Sequence, residues 1–134
     1  MSRRRKSYKG FYLEVVDIHI EDIDNFREWE PADKSDVFFL CYVCVAEKGD
    51  DSFFYRFLCH VTTPEGLMNA AYERNVNIPQ RALLILKDYS WKNLERLVHD
   101  IVDSCSYQNW SVSLSRLERY FEGDYEGRDE QGTV

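Results

Sequence analysis

Asp36-Val37-Phe38-Phe39-Leu40-Cys41-Tyr42-Val43-Cys44-Val45-Ala46 is apolar at both parities. In an extended chain Val37, Phe39, Cys41, Val43 and Val45 fall on one face, and Phe38, Leu40, Tyr42, Cys44 and Ala46 on the other. Such a strand belongs in the middle of a sheet, with both faces covered at least in part. Glu47-Lys48-Gly49-Asp50-Asp51 follows as a turn of hairpin length. Ser52 to Thr62 then returns as a strand, with Phe53, Tyr55, Phe57, Cys59 and Val61 alternating against Phe54, Arg56, Leu58 and His60.

Working outward from this hairpin, Phe11 to Ile20 reads as a first strand rich in Val, Ile, Tyr and Phe. The connection 21–35 is acidic, with a short turn of helix expected around Ile23 to Arg27. On the other side, Thr63-Pro64-Glu65 starts a helix: Thr caps the free N–H groups, Pro fits the first helical position and Glu complements the dipole. That helix is predicted to run to about Arg74 with Leu67, Ala70 and Ala71 inward, and Asn75 and Asn77 suit its end. Gln80 to Leu86 is a short apolar strand. Ser90 caps a second helix whose Leu94, Leu97, Val98, Ile101 and Val102 recur at helical spacing. Beyond Cys105, Trp110, Leu114, Leu117 and Phe121 fit a helical stripe, while Trp110, Val112 and Leu114 also fit a strand. The reading adopted is a helical turn or two, then a last strand.

The expected fold is therefore α+β: a single-domain sandwich with a mostly antiparallel sheet of four to five strands and two or three helices packed on one face. The domain is expected over residues 10–125, between a flexible basic tail at 1–9 and a flexible tail at 126–134. A chain of 134 residues can bury roughly two-thirds of its unfolded surface and needs no staples. Its four cysteines, Cys41, Cys44, Cys59 and Cys105, sit mostly inside apolar runs and read as reduced core residues of a cytoplasmic protein. No signal peptide is expected, because no long apolar stretch follows Arg3 to Lys6, and no run approaches the roughly 20 apolar residues of a membrane span.

The candidate chemistry is sparse. Cys41 and Cys44 have CxxC spacing, but residues three apart on a strand point to opposite faces and cannot share a metal. Cys59 and His60 are strand neighbours and face apart in the same way. His19, His60 and His99 form no HExxH or HxH pattern, and the six glycines form no phosphate loop. No catalytic residue, cofactor or metal is expected.

What stands out is charge. Asp17, Glu21, Asp22, Asp24, Glu28, Glu30, Asp33 and Asp36 crowd one short segment with only Arg27 and Lys34 as cations, and the formal net charge of the chain is −7. Such a surface steers and grips a basic protein and repels nucleic acid. Phe26 and Trp29 lie among these carboxylates, as aromatic anchors do in binding hot spots, though either could equally fold back onto the core. The basic arm Arg3 to Lys6 is too short a signal to reverse this.

Several local strings are similar to a known family. They are the acidic link after the first strand, the Asp36 to Ala46 strand, Val61-Thr62-Thr63-Pro64-Glu65-Gly66-Leu67, and Leu83-Leu84-Ile85-Leu86 followed by Asp88-Tyr89-Ser90-Trp91. A helix ending near Cys105-Ser106, then Trp110, and the closing string Tyr120-Phe121-Glu122-Gly123-Asp124-Tyr125 complete the set. The chain resembles the immunity protein 8 family of bacterial polymorphic-toxin systems. The resemblance implies a small cytoplasmic antitoxin of contact-dependent inhibition or a related system. It would bind a cognate toxin domain, often a nuclease, whose cationic channel an acidic partner can plug.

The partner-binding residues expected on these grounds are Glu21, Asp22, Asp24, Glu28, Trp29 and Glu30, with Glu122 and Asp124 as a second patch. The expected partner is a basic toxin domain, with no nucleic acid and no membrane involved, and the protein itself a monomer or homodimer. Two other classes stay open on the residues alone. One is a small enzyme built on Cys59, His60 or a carboxylate pair. The other is an adaptor that homodimerises through surplus aromatics.

Overall fold

The computed structural model of the protein describes residues 10–73 and 82–124. The arm Arg3 to Lys6, the helix end at Asn75 and Asn77, the strand start at Gln80 and the tail 126–134 lie outside the described residues. In order, the elements are β1 (Leu13–Ile20), β2 (Phe38–Glu47), β3 (Asp50–Thr62), α1 (Pro64–Glu73), β4 (Leu83–Ile85), α2 (Trp91–Cys105), α3 (Trp110–Leu117) and β5 (Glu122–Gly123). The fold is the expected α+β single domain, with a five-stranded, mostly antiparallel open sheet and three helices.

β2 is central, antiparallel to β1 on one side and to β3 on the other. The turn between β2 and β3 is tighter than the five residues expected. Glu47 already pairs with Asp50, so only Lys48 and Gly49 form the loop. Gly49 takes φ +92°, a conformation open to glycine because it has no Cβ to clash. The far edge of β3 serves two short strands. β4 runs parallel along His60 to Thr62, and β5 runs antiparallel along Phe57 and Leu58.

One irregularity sets the faces of β1. Val15 pairs with Val45 and Asp17 with Cys44, so Val16 is an extra residue, left 39 % exposed. This bulge switches the inward parity. Leu13 is buried before it, Ile18 and Ile20 after it. Without it, Asp17 and His19 would point into the core.

The core lies between the sheet and the pair α2 and α3. Val43, Val45, Phe57, Cys59 and Val61 meet Leu94, Val98, Val102, Leu117 and Phe121 in one buried cluster. Ser90 caps α2 by accepting from the Asn93 N–H at 3.0 Å, as the sequence predicts. The ambiguity beyond Cys105 resolves to a helix. Asn109 caps α3 by accepting from the Val112 N–H, and Ser113 is fully buried, bonded to both backbone groups of Tyr107.

α1 meets the sheet at closer range than its expected inward residues suggest. Gly66 is buried against the Val37 backbone, so close that a Cβ would sit 1.9 Å from the Val37 carbonyl oxygen. Thr63 fastens the same junction. Its hydroxyl accepts from the Val37 and Gly66 N–H groups, each at 3.1 Å, and donates to the Ser35 carbonyl at 2.6 Å.

Candidate functional site

The acidic connection is a chain of turns; the short helix expected around Ile23 to Arg27 is absent. Its aromatics turn inward. Phe26 is buried, with Trp91 and His19 each 5.3 Å away between ring centroids. Trp29 is half-buried, packed edge-on against Phe39 and tilted against Tyr89. Arg27, one of the segment's two cations, lies 5.2 Å from the Phe26 ring centre. The rings thus bind the connection to the core, and Asp22, Asp24, Glu28 and Glu30 are left exposed on its outside. Asp33 is held below its ordinary pKa because the Ser35 hydroxyl and N–H both donate to its carboxylate.

Glu21 and the distant pair Glu122 and Asp124 are brought together by the register of the sheet. Glu21 follows β1 and donates its N–H to the Leu40 carbonyl, opening a row that continues to His60 and Leu83. The next row is His19, Tyr42, Leu58 and Glu122. The third is Asp17, Cys44 and Arg56, closed by Asp124, whose N–H donates to the Arg56 carbonyl.

Side chains tie these rows across the sheet. The Tyr42 hydroxyl donates to Glu21 Oε1 at 3.4 Å. The Arg56 guanidinium lies 4.5 Å from the centre of the Tyr42 ring and pairs with Asp124 Oδ2 at 2.6 Å. Desolvation and then the Glu21 carboxylate push the Tyr42 phenol above its ordinary pKa. Desolvation and then Asp17 do the same to the Cys44 thiol.

The enzymatic arrangements do not assemble around Cys59. Its side chain is buried in the core cluster, while His60 lies on the other face with its ring 5.4 Å from Phe38. Cys41 opposes Cys59 across the β2–β3 ladder, and both are free thiols. Hydrogen bonding with Cys41, then burial, raises the Cys59 pKa well above its ordinary value. A groove of about 360 Å³ between the start of β1 and α2 gathers His99, Asp100 and Asp103 with Glu14 and Lys48. His99, Asp100 and Asp103 are all exposed on α2. No cluster of three or more metal-ligating side chains occurs among the described residues.

Sequence reasoning found the carboxylates but missed Tyr42 and Arg56, which link them. The available signal was the parity change in β1. Leu13 and Val15 are apolar at odd positions, Ile18 and Ile20 at even ones. A bulge between them places Asp17, His19 and Glu21 on one face.

No helix among the described residues is long and apolar enough to cross a membrane. No curated protein and no solved structure matches the chain. A family model does: Immunity protein 8 matches residues 13–127, from the first residue of β1 to just past β5. The chain therefore belongs to the Immunity protein 8 family, whose members are immunity proteins directed against a toxin.

Proposed function

We propose that this immunity protein neutralises a basic toxin domain, a nuclease, by laying an acidic surface over the toxin's cationic active site in the cytoplasm of the producing cell. The observation that carries the reading is the exposed carboxylate set Asp22, Asp24, Glu28 and Glu30 on a connection anchored by Phe26 and Trp29. A channel built for phosphate is positive and offers complementary charge. Glu21, Glu122 and Asp124 extend the negative surface along the sheet. Trp29, being half-buried, contributes chiefly by holding the connection in place.

The test is joint neutralisation of Glu21, Asp22, Asp24 and Glu28 to Gln or Asn. Association with the toxin domain encoded by the adjacent gene is expected to slow by about ten- to a hundredfold at low salt, with a shallower salt dependence. Unchanged association and salt dependence would remove these residues from the interface. An enzymatic reading keeps one supporting observation, the groove at His99. It requires His99→Ala to abolish protection of cells carrying the toxin, whereas the inhibitor reading expects protection to persist.

A further inference from the structure

The face of the sheet opposite α2 and α3 is built in an unusual order for solvent. Its middle is apolar: Leu40, Tyr42 and Leu58 are half-buried side chains outside the core cluster and outside the residues packed against it. Its two margins are acidic, with Asp17 and Glu21 on the β1 side and Glu122 and Asp124 on the β5 side. Four carboxylates thus face one guanidinium, Arg56, and Asp124 already engages it. Among the described residues Asp17, Glu21 and Glu122 have no cation paired with them. A solvated sheet face would carry polar side chains in its middle too. An apolar centre with a charged rim is the anatomy of a protein interface.

We propose that the centre of the toxin contact is this sheet face around Tyr42, and that its occupant is a basic protein domain with an apolar spot ringed by Lys or Arg. The proposal rests on the reading of the chain as a toxin-binding protein and assigns the place of contact. Charge complementarity selects the partner: the carboxylate margins reject an acidic or nucleic-acid surface and attract cations to both sides of Leu40, Tyr42 and Leu58. The Tyr42 ring is held between Glu21 and Arg56, so little side-chain entropy is lost when a partner covers it. Strands about 4.8 Å apart and same-face residues about 7 Å apart give these rows an area of a few hundred Å². A standard interface takes about 800 Å² from each partner. The neighbouring Asp22, Asp24 and Glu28 supply the remainder, as rim.

The test uses the intact chain and the toxin domain encoded by the gene immediately upstream. Tyr42→Ala and Leu58→Lys are expected to weaken binding about thirtyfold or more, the range of hot-spot residues. Should either variant fail to fold, hydroxyl-radical footprinting of the wild-type protein decides. Oxidation at Tyr42 and Leu58 is expected to fall on saturation with the toxin domain. Unchanged oxidation at both residues in a bound complex overturns the proposal and leaves the immunity function standing. Protection that grows with protein concentration without toxin assigns the face to a second copy of the chain and also overturns it. Failure of the wild-type protein to bind the toxin domain at all overturns the immunity reading itself, and the proposal with it.

Discussion

Arg56 on β3 holds Asp124 just beyond β5 by two contacts to one oxygen, Nε at 2.7 Å and Nη2 at 2.6 Å. The pair closes β5 onto a sheet edge where the strand itself has only two residues. It also fixes the guanidinium above Tyr42.

Because the Arg56 side chain is 51 % exposed, water screens most of this attraction. Asp124→Asn is expected to lower unfolding free energy by no more than about 1 kcal/mol, and by less in high salt. Urea titrations at two salt concentrations check this. A loss of several kcal/mol at both would show that β5 depends on the pair for docking.

Gly66→Ala is expected to destabilise the fold by about 3 kcal/mol, since the backbone of α1 and that of Val37, just before β2, must separate to admit the methyl group. Gly49→Ala meets nothing within 4 Å and is strained only by its φ of +92°, so about 1 kcal/mol is expected. Chemical denaturation of the two variants side by side should rank them in that order. Equal losses would mean that α1 shifts freely on the sheet.

Thr63→Val keeps the shape of a fully buried side chain and removes its hydroxyl. The Val37 and Gly66 N–H groups then lose their acceptor and the Ser35 carbonyl loses a donor. A loss of about 2–4 kcal/mol is expected, because buried groups are left unpaired. Hydrogen exchange at Val37 and Gly66 should accelerate with it. Unchanged exchange at both amides would refute the account of this junction.

Tyr89 is 2 % exposed and its hydroxyl is buried without a hydrogen-bond partner among the described residues. Tyr89→Phe is therefore expected to be neutral or to stabilise by about 1 kcal/mol. Desolvation, with a smaller effect of Cys41, raises the phenol from its ordinary 10.0 to about 12. A group whose folded pKa is raised contributes stability that is complete below the unfolded pKa and lost as pH climbs to the folded one. Stability should fall between pH 10 and 12 through Tyr89, and Tyr89→Phe should flatten that slope. Thermal unfolding across this range, with and without the substitution, provides the measurement.

The element order, the central place of β2 and the caps of α1 and α2 could be read from residues alone, because apolar periodicity and capping chemistry act over a few neighbours. Three points lay beyond the reach of local sequence. Nothing local decided between helix and strand at Trp110 to Leu117, where the decisive contact is Ser113 with the backbone of Tyr107. Charge surrounds Phe26 and Trp29 in sequence, which leaves open whether they anchor a partner or fold back onto the core; in space Trp91, Phe39 and Tyr89 surround them. The third was the place of the acidic patches relative to one another.

Composition and order thus determined by themselves that the chain is an acidic α+β domain with a central hairpin, since those properties sum over residues wherever they end up. Tertiary structure alone decided that Glu21 and Asp124, far apart in sequence, share one face with Tyr42 and Arg56 between them. That placement depends on a bulge at Val16 and on the register of four strands. A one-residue slip would have turned the same carboxylates toward the opposite face.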